Sequence, residues 1–204
     1  MKSARPIARE LILASTSPRR RELLENAGFA FHVLPPRAEE RPQPGEAPAD
    51  YAQRNAREKA RSVIPALPRD ARGRSQACAV IGADTIVVLD GRILEKPRDD
   101  AHARAMLKAL AGREHEVITG VCAILTDGGG AAPRERCFAT RTAVVMRRVS
   151  DEEIEAYLAT GEPADKAGAY AVQGRAAGMI RELRGSYTNV VGLPLAELIE
   201  ILAG

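Results

Sequence analysis

A short apolar run near the start of the chain gives way to small hydroxyl residues and then to an arginine-rich helix start. The run covers residues 11–14 (LILA), and residues 15–21 (STSPRRR) follow it. Pro18 suits the first turn of a helix, because the N–H that proline lacks would be unpaired there. Free backbone N–H groups at the positive end of a helix dipole bind anions well. The segment therefore predicts a strand followed by a helix, whose start is either an anion site or a solvated basic surface.

Short β-rich runs alternate with helical patterns along the 204 residues. The patterns predict strands at about 11–15, 29–34, 79–91, 93–97, 114–126 and 136–149, and helices at about 18–27, 49–64, 99–110 and 150–159, with a closing helix that ends near 202. This alternation predicts an α/β fold. We find no internal repeat and no convincing linker, so we expect a single domain over residues 1–204.

Composition excludes two classes of partner. The chain has 30 basic and 27 acidic residues, and only 3% of its residues are aromatic. Sequence-independent binding of nucleic acid needs a coherent basic groove and usually aromatic stacking, so we expect no nucleic-acid partner. The apolar run at 11–14 is too short for a signal peptide or a membrane span, so we expect no membrane partner either.

The cysteines and histidines give no sign of a soft-metal site. Cys78, Cys122 and Cys137 are far apart and odd in number, which predicts neither a disulfide framework nor a zinc site and favours a reducing cytoplasm. The three histidines are equally scattered. Any metal is therefore expected to be a hard cation bound by oxygen ligands.

A carboxylate stands inside the most apolar strand pattern of the chain. Residues 79–91 are β-rich, are interrupted by residues 82–85 (GADT) and end in an Asp-Gly turn. Burying an isolated carboxylate costs several kcal/mol or more. Either a cation or a set of hydrogen-bond donors must therefore meet Asp84, or Asp84 merely caps a turn at a strand end.

Two lysines have positions that could serve a cleft. Lys59 lies at the edge of the apolar face of the predicted helix 49–64, where a lysine either extends its amine to solvent or reaches into a cleft. Lys96 ends a short strand and is held extended by Pro97. The glycine-rich segments 165–174 and 185–194 suit a close approach of backbone to ligand, although tight turns explain them equally well.

Six motifs, in order across nearly the whole chain, closely resemble the Maf-like family of nucleoside triphosphate pyrophosphatases, once described as inhibitors of septum formation. They are residues 14–24 (ASTSPRRRELL), 57–60 (REKA), 82–85 (GADT), 95–97 (EKP), 165–174 (DKAGAYAVQG) and 185–194 (GSYTNVVGLP). The resemblance implies a mixed twisted sheet in an elongated, two-lobed structure like that of the inosine triphosphate pyrophosphatases. It also implies a homodimer, and hydrolysis between the α and β phosphates with Mg²⁺ or Mn²⁺.

The same resemblance assigns roles to the charged residues. Asp84 is implied to be the general base or water-positioning carboxylate near the metal, and Lys59 and Lys96 are implied to neutralise phosphate charge. Glu40, in the loop after the second strand, is the candidate second metal ligand. Its neighbour Glu39 remains an alternative, because many members carry an Asp-Glu pair at this point.

The same resemblance assigns different positions to the three arginines of the first motif. Successive helical residues point about 100° apart, so at most one or two of the three can face one ligand. The resemblance implies that Arg19, with Ser15 and Ser17, grips the phosphates or the nucleotide. Arg20 and Arg21 are then expected in solvent.

Two residues match the branch of the family that acts on pyrimidines. Thr85 and Gln173 match the residues that the dTTP and UTP group has at these positions. The group that prefers 7-methylguanosine triphosphate has other residues there. A hydroxyl and an amide can offer both donor and acceptor to a uracil or thymine edge. We therefore expect dTTP, UTP and modified pyrimidine nucleotides as substrates. The alternatives are a nucleotidyltransferase with the same site, and a nucleotide-binding regulator of cell division without significant turnover.

Overall fold

The structure is a computed structural model that describes residues 9–67, 76–128 and 132–203. Its strands are β1 (Glu10–Ala14), β2 (Phe31–Val33), β3 (Cys78–Leu89), β4 (Arg92–Leu94), β5 (Glu114–Thr126), β6 (Arg134–Met146) and β7 (Ile180–Arg184). Its α-helices are α1 (Pro18–Asn26), α2 (Pro48–Val63), α3 (Asp100–Leu110), α4 (Asp151–Leu158), α5 (Tyr187–Val191) and α6 (Leu195–Ala203). Short 3₁₀ turns occupy Ile64–Ala66, Glu162–Asp165, Ala167–Ala169 and Gly174–Met179.

The strands form one mixed sheet in the order β2-β1-β3-β5-β6-β7. β1 is parallel to both β2 and β3, whereas β3, β5, β6 and β7 follow one another antiparallel. β4 pairs antiparallel with the far end of β3. The predicted mixed α/β fold is confirmed.

Two separate apolar clusters lie on one face of β3. Ile81 and Ala83 pack with residues of α1 and α6, such as Leu24 and Leu198. Val87 packs with α3 and α4 in a separate cluster. Because alternate strand residues share a face, residue 85 falls between the two clusters.

Helix α2 packs directly on the other face of the sheet, because two strand residues opposite it have no side chain. A Cβ added at Gly82 would lie 2.1 Å from the Ala56 carbonyl oxygen, and one at Gly120 would lie 2.3 Å from that of Ala52. The facing alanines of α2 are fully buried. The alanine face and the two glycines therefore bring this helix unusually close to β3 and β5.

The sequence patterns predicted most helices and strands correctly. Residues 150–153 (SDEE) have the pattern of a capping box, and the structure confirms it, with Ser150 and Glu153 bonded reciprocally. The predicted interruption of the strand at residues 82–85 is wrong: β3 is continuous there, because Gly82 provides room for α2 and does not break the strand. β7 and the five-residue α5 were not predicted, since one is a short, highly charged strand and the other is too short for a periodic pattern. Residues 127–130 (DGGG), between the strand patterns at 114–126 and 136–149, predict a hairpin with a loose tip, and residues 129–131 lie outside the described residues.

The cysteine pattern predicted no disulfide, and this prediction is wrong. β5 and β6 place Cys122 directly opposite Cys137, and the two are joined by a disulfide across a separation of 15 residues. Cys78 is buried and free. The spacing of the cysteines could not reveal this pair, because it depends on the register of the hairpin.

Among the described residues, no helix has both the length and the apolar character needed to cross a bilayer.

The close approach of α2 predicts that Gly120 tolerates no side chain. We expect Gly120→Ala to lower the free energy of unfolding by about 1–3 kcal/mol, the usual cost of overpacking a core. The measurement is urea unfolding followed by circular dichroism. Gly178→Ala is the matched control, because a Cβ there meets no atom within 4 Å. Equal stability of the two variants would contradict the packing described.

Candidate active site

The cleft of this protein opens where one edge of β3 is unpaired. β1 pairs with β3 as far as Gly82, and β4 pairs with it from Val87 onward. Between them, within the described ranges, residues 83–86 have no strand neighbour on that side. Side chains alternate between the two faces of a strand, so Asp84 points toward the α2 face and Thr85 toward the opposite face. Both nevertheless line one cavity of about 460 Å³, a volume typical of small-molecule sites.

All nine residues predicted for the site line this cavity. They are Ser15, Ser17, Arg19, Glu40, Lys59, Asp84, Thr85, Lys96 and Gln173. The structure thus brings together side chains from α1, α2 and β3 with those of four loops. Their location agrees with the prediction, and their roles stay predictions.

Asp84 is buried and receives one donor on each carboxylate oxygen. Its Oδ1 accepts from Lys59 Nζ at 2.7 Å, and its Oδ2 accepts from Asn55 Nδ2 at 3.0 Å. Asn55 and Lys59 are four residues apart on α2 and therefore lie on the same face of the helix. Asp84 lies in the middle of a continuous strand and caps no turn, and Lys59 reaches the cleft with only 7% of its surface exposed.

The Lys59 ammonium bridges two carboxylates. Besides Asp84, it contacts Glu40 Oε1 at 2.8 Å, and the Glu40 side chain is 44% exposed at the cleft. Glu39 instead pairs with Arg41 at 3.5 Å, with its side chain in solvent. Of the two alternatives, only Glu40 faces the site. Oxygen atoms of Asp84 and Glu40 thus converge on one positive charge, which is a donor set suited to Mg²⁺ or Mn²⁺.

A second group of potential metal ligands lies away from the cleft. Cys122, Glu135 and Cys137 have ligand atoms within 4.8 Å of one another. The two sulfur atoms are already joined as a disulfide, and the Glu135 carboxylate accepts two bonds from Arg61. This group is therefore not part of the candidate site.

Arg20 is held by three separate hydrogen bonds. Its Nε donates to the Gly192 carbonyl oxygen at 2.8 Å, and its two terminal nitrogens donate to Ser15 Oγ at 3.2 Å and to Thr85 Oγ1 at 3.1 Å. Burial lowers the pKa of Arg20 below its usual value, while the Asp84 carboxylate opposes that shift. The expectation that Arg20 lies in solvent is wrong, whereas Arg21 is exposed as predicted.

The remaining polar groups differ in how firmly they are held. Ser15 Oγ accepts from the Ser17 backbone N–H at 3.2 Å, which fixes the turn before α1. Tyr51 donates to Glu95 Oε1 at 3.1 Å, and burial raises the pKa of Tyr51 to about 12, so the hydroxyl remains protonated. Lys96 is exposed and makes no ion pair with any residue that the structure describes.

Sequence reasoning missed Asn55 and Arg20, which donate hydrogen bonds to Asp84 and Thr85. Asn55 had a usable signal, because it lies one helical turn before Lys59 on the same face. Arg20 had none, since two of its three partners, Thr85 and Gly192, are 65 and 172 residues away along the chain.

The fold and the cleft define an α/β protein with a cation-lined pocket built around one buried carboxylate. The Maf-like protein family matches residues 10–204, and the chain belongs to this family. A Geobacter sp. (strain M21) protein named dTTP/UTP pyrophosphatase is 50% identical over 192 residues, which cover 94% of this chain and 93% of the relative. A protein of the same name from Anaeromyxobacter dehalogenans (strain 2CP-C) is 50% identical over 196 residues, covering 96% and 94% of the two chains.

A solved structure has the same fold. The Staphylococcus aureus Ham1 protein superposes with a TM-score of 0.53, covering 96% of this chain and 99% of the other, at 16% sequence identity. At this identity the likeness concerns the fold alone. It agrees with the predicted architecture.

The ion pair of Lys59 and Asp84 predicts a large effect of removing one charge. We expect Lys59→Met to lower the free energy of unfolding by about 3–5 kcal/mol, because the buried carboxylate loses its cation. Urea unfolding measures the loss. Lys96→Met is the matched control, and its exposed site predicts a change within about 0.5 kcal/mol. Similar losses in both variants would contradict a structural ion pair.

Proposed function

We propose that this protein hydrolyses dTTP, UTP and modified pyrimidine nucleotides to the nucleoside monophosphate and pyrophosphate. The observation that carries the proposal is the Asp84 carboxylate, held by Lys59 and Asn55 at the wall of a cation-lined cleft. The name shared by near-full-length relatives that are 50% identical supports the pyrimidine substrates.

Cationic and hydroxyl groups of the cleft bind the triphosphate in this proposal. Lys59, Lys96 and Arg19 all line the cavity, and Ser15 and Ser17 flank the start of α1. Fixed positive charges and helix N-terminal N–H groups stabilise phosphate oxygens, most strongly where charge develops during the reaction. This arrangement suits a substrate with several negative charges.

Glu40 and Asp84 are the proposed ligands of the divalent cation. Their oxygen atoms lie 2.8 and 2.7 Å from the same Lys59 nitrogen, so the site already accommodates a positive charge between them. When bound, Mg²⁺ or Mn²⁺ would neutralise charge on the phosphate oxygens.

Asp84 is the proposed base. Its carboxylate orients or deprotonates a water molecule for attack on the α phosphorus, and pyrophosphate leaves. Asn55 and Lys59 fix both oxygens of the carboxylate, so its orientation is set before substrate binds. Preorganisation of this kind lowers the cost of reaching the transition state.

Thr85 and Gln173 are the proposed contacts to the pyrimidine ring of the nucleotide. Both line the cavity and both remain partly accessible. Their hydrogen-bonding groups match the polar edge of uracil and thymine. On the family resemblance we also propose that the protein is a homodimer and works in the cytoplasm, where nucleoside triphosphates are used.

The direct test is a panel of canonical and modified nucleoside triphosphates, assayed for pyrophosphate release with Mg²⁺ and then with Mn²⁺. The proposal predicts release from dTTP and UTP without any acceptor substrate. Pyrophosphate release only in the presence of an acceptor would identify a nucleotidyltransferase. Tight nucleotide binding without turnover would identify a regulatory protein instead.

The role of Asp84 predicts a loss of rate without a loss of binding. We expect Asp84→Asn to lower turnover of dTTP about a hundredfold or more, which is the usual contribution of one positioned acid–base group. Nucleotide affinity, measured by calorimetry without divalent cation, should be retained because the phosphate-binding side chains of Lys59, Lys96 and Arg19 are unchanged. A variant that hydrolyses dTTP at the parental rate would contradict the assignment.

A further inference from the structure

A row of hydroxyl groups lies behind Thr85, on the side away from the cavity. Thr85 and Thr119 are direct partners in the β3 and β5 pairing, and their hydroxyl oxygens lie 2.9 Å apart. Thr119 Oγ1 also lies 2.9 Å from the backbone carbonyl oxygen of Asn189 in α5. Thr119 and Asn189 are fully buried, so water cannot replace either partner.

The row admits only one arrangement of protons. A threonine hydroxyl has one proton to donate and two lone pairs with which to accept. The Asn189 carbonyl can only accept, so Thr119 donates its single proton there. Thr119 can then only accept from Thr85, and the proton of Thr85 points away from the cavity.

The end of the row is fixed by the side chain of Asn189. Its Nδ2 donates to the Val117 carbonyl oxygen at 3.0 Å and to Thr142 Oγ1 at 2.9 Å. These bonds anchor α5 on β5 and β6. The carbonyl that receives the Thr119 proton is therefore held in place by the sheet.

One of the two lone pairs of the Thr85 hydroxyl accepts a hydrogen bond from Arg20. Arg20 donates to Thr85 Oγ1 at 3.1 Å, and the Gly192 carbonyl oxygen holds the guanidinium at 2.8 Å. Gly192 fits tightly here, since an added Cβ would lie 3.3 Å from Thr85 Oγ1. One lone pair of Thr85 remains for a ligand in the cavity.

We propose that Thr119 is a positioning residue that makes Thr85 a hydrogen-bond acceptor toward the cavity. An acceptor at this point pairs with the N3–H of uracil or thymine, whereas N3 of cytosine is itself an acceptor and is repelled. A site built around one polarity of hydrogen bond rejects the opposite polarity strongly, because a buried group is left unpaired. The inference rests on the proposed pyrimidine triphosphatase function and explains how its specificity arises.

The test compares Thr119→Val with Thr119→Ser by the ratio of kcat/KM for UTP to kcat/KM for CTP. Valine keeps the shape but accepts no hydrogen bond, so the proton of Thr85 is free to turn toward the cavity and donate to cytosine N3. We expect the ratio to fall about tenfold or more in Thr119→Val, the scale of one neutral hydrogen bond. Thr119→Ser keeps the hydroxyl and should keep the ratio. A purely structural defect would lower both activities together and leave the ratio unchanged.

An unchanged ratio in an active Thr119→Val enzyme would overturn the inference and leave the proposed function intact. If the unaltered protein hydrolyses neither UTP nor dTTP, the proposed function itself fails. A second measurement needs no substitution and covers the case in which Thr119→Val does not fold. The unaltered protein should discriminate about tenfold or more against 3-methyluridine triphosphate, which lacks the N3–H, and equal kcat/KM for this nucleotide and UTP would overturn the inference.

Discussion

The close packing of α2 on β3 and β5 determines the geometry of the whole site. Gly82 and Gly120 leave no side chain between the helix and the sheet, and the helix presents alanines at the contact. At this distance Lys59 neutralises the Asp84 carboxylate and Asn55 donates a hydrogen bond to it. Without that approach the strand would bury an unpaired charge, which costs several kcal/mol.

The gap in the edge of the sheet decides what the buried carboxylate can do. Neighbouring strand residues point to opposite faces, so Asp84 and Thr85 would normally serve different environments. Because β1 ends at one side of the gap and β4 begins at the other, both side chains reach the same cavity. The two faces therefore have different proposed roles. On the α2 face Asp84 promotes hydrolysis, and on the opposite face Thr85, with Arg20 and Thr119, recognises the pyrimidine.

The sequence predicted the features that depend on local pattern, but not those that depend on contacts between segments far apart in the chain. Hydrophobic periodicity located most strands and helices, and the resemblance to one family identified nine residues that the fold brings into one cavity. The solvent position expected for Arg20 and the expected absence of a disulfide were wrong, because the partners of Arg20 and of Cys122 become neighbours only through strand pairing and helix placement. Asn55 could have been found, since it lies one helical turn from Lys59.

In the proposed reaction the cleft directs water to the α phosphorus of a pyrimidine triphosphate. Hydrolysis of UTP in water labelled with heavy oxygen, followed by mass spectrometry of both products, tests this most directly. Attack at the α phosphorus places the label in UMP and leaves pyrophosphate unlabelled. Label in pyrophosphate, or release of UDP and inorganic phosphate, would contradict the account.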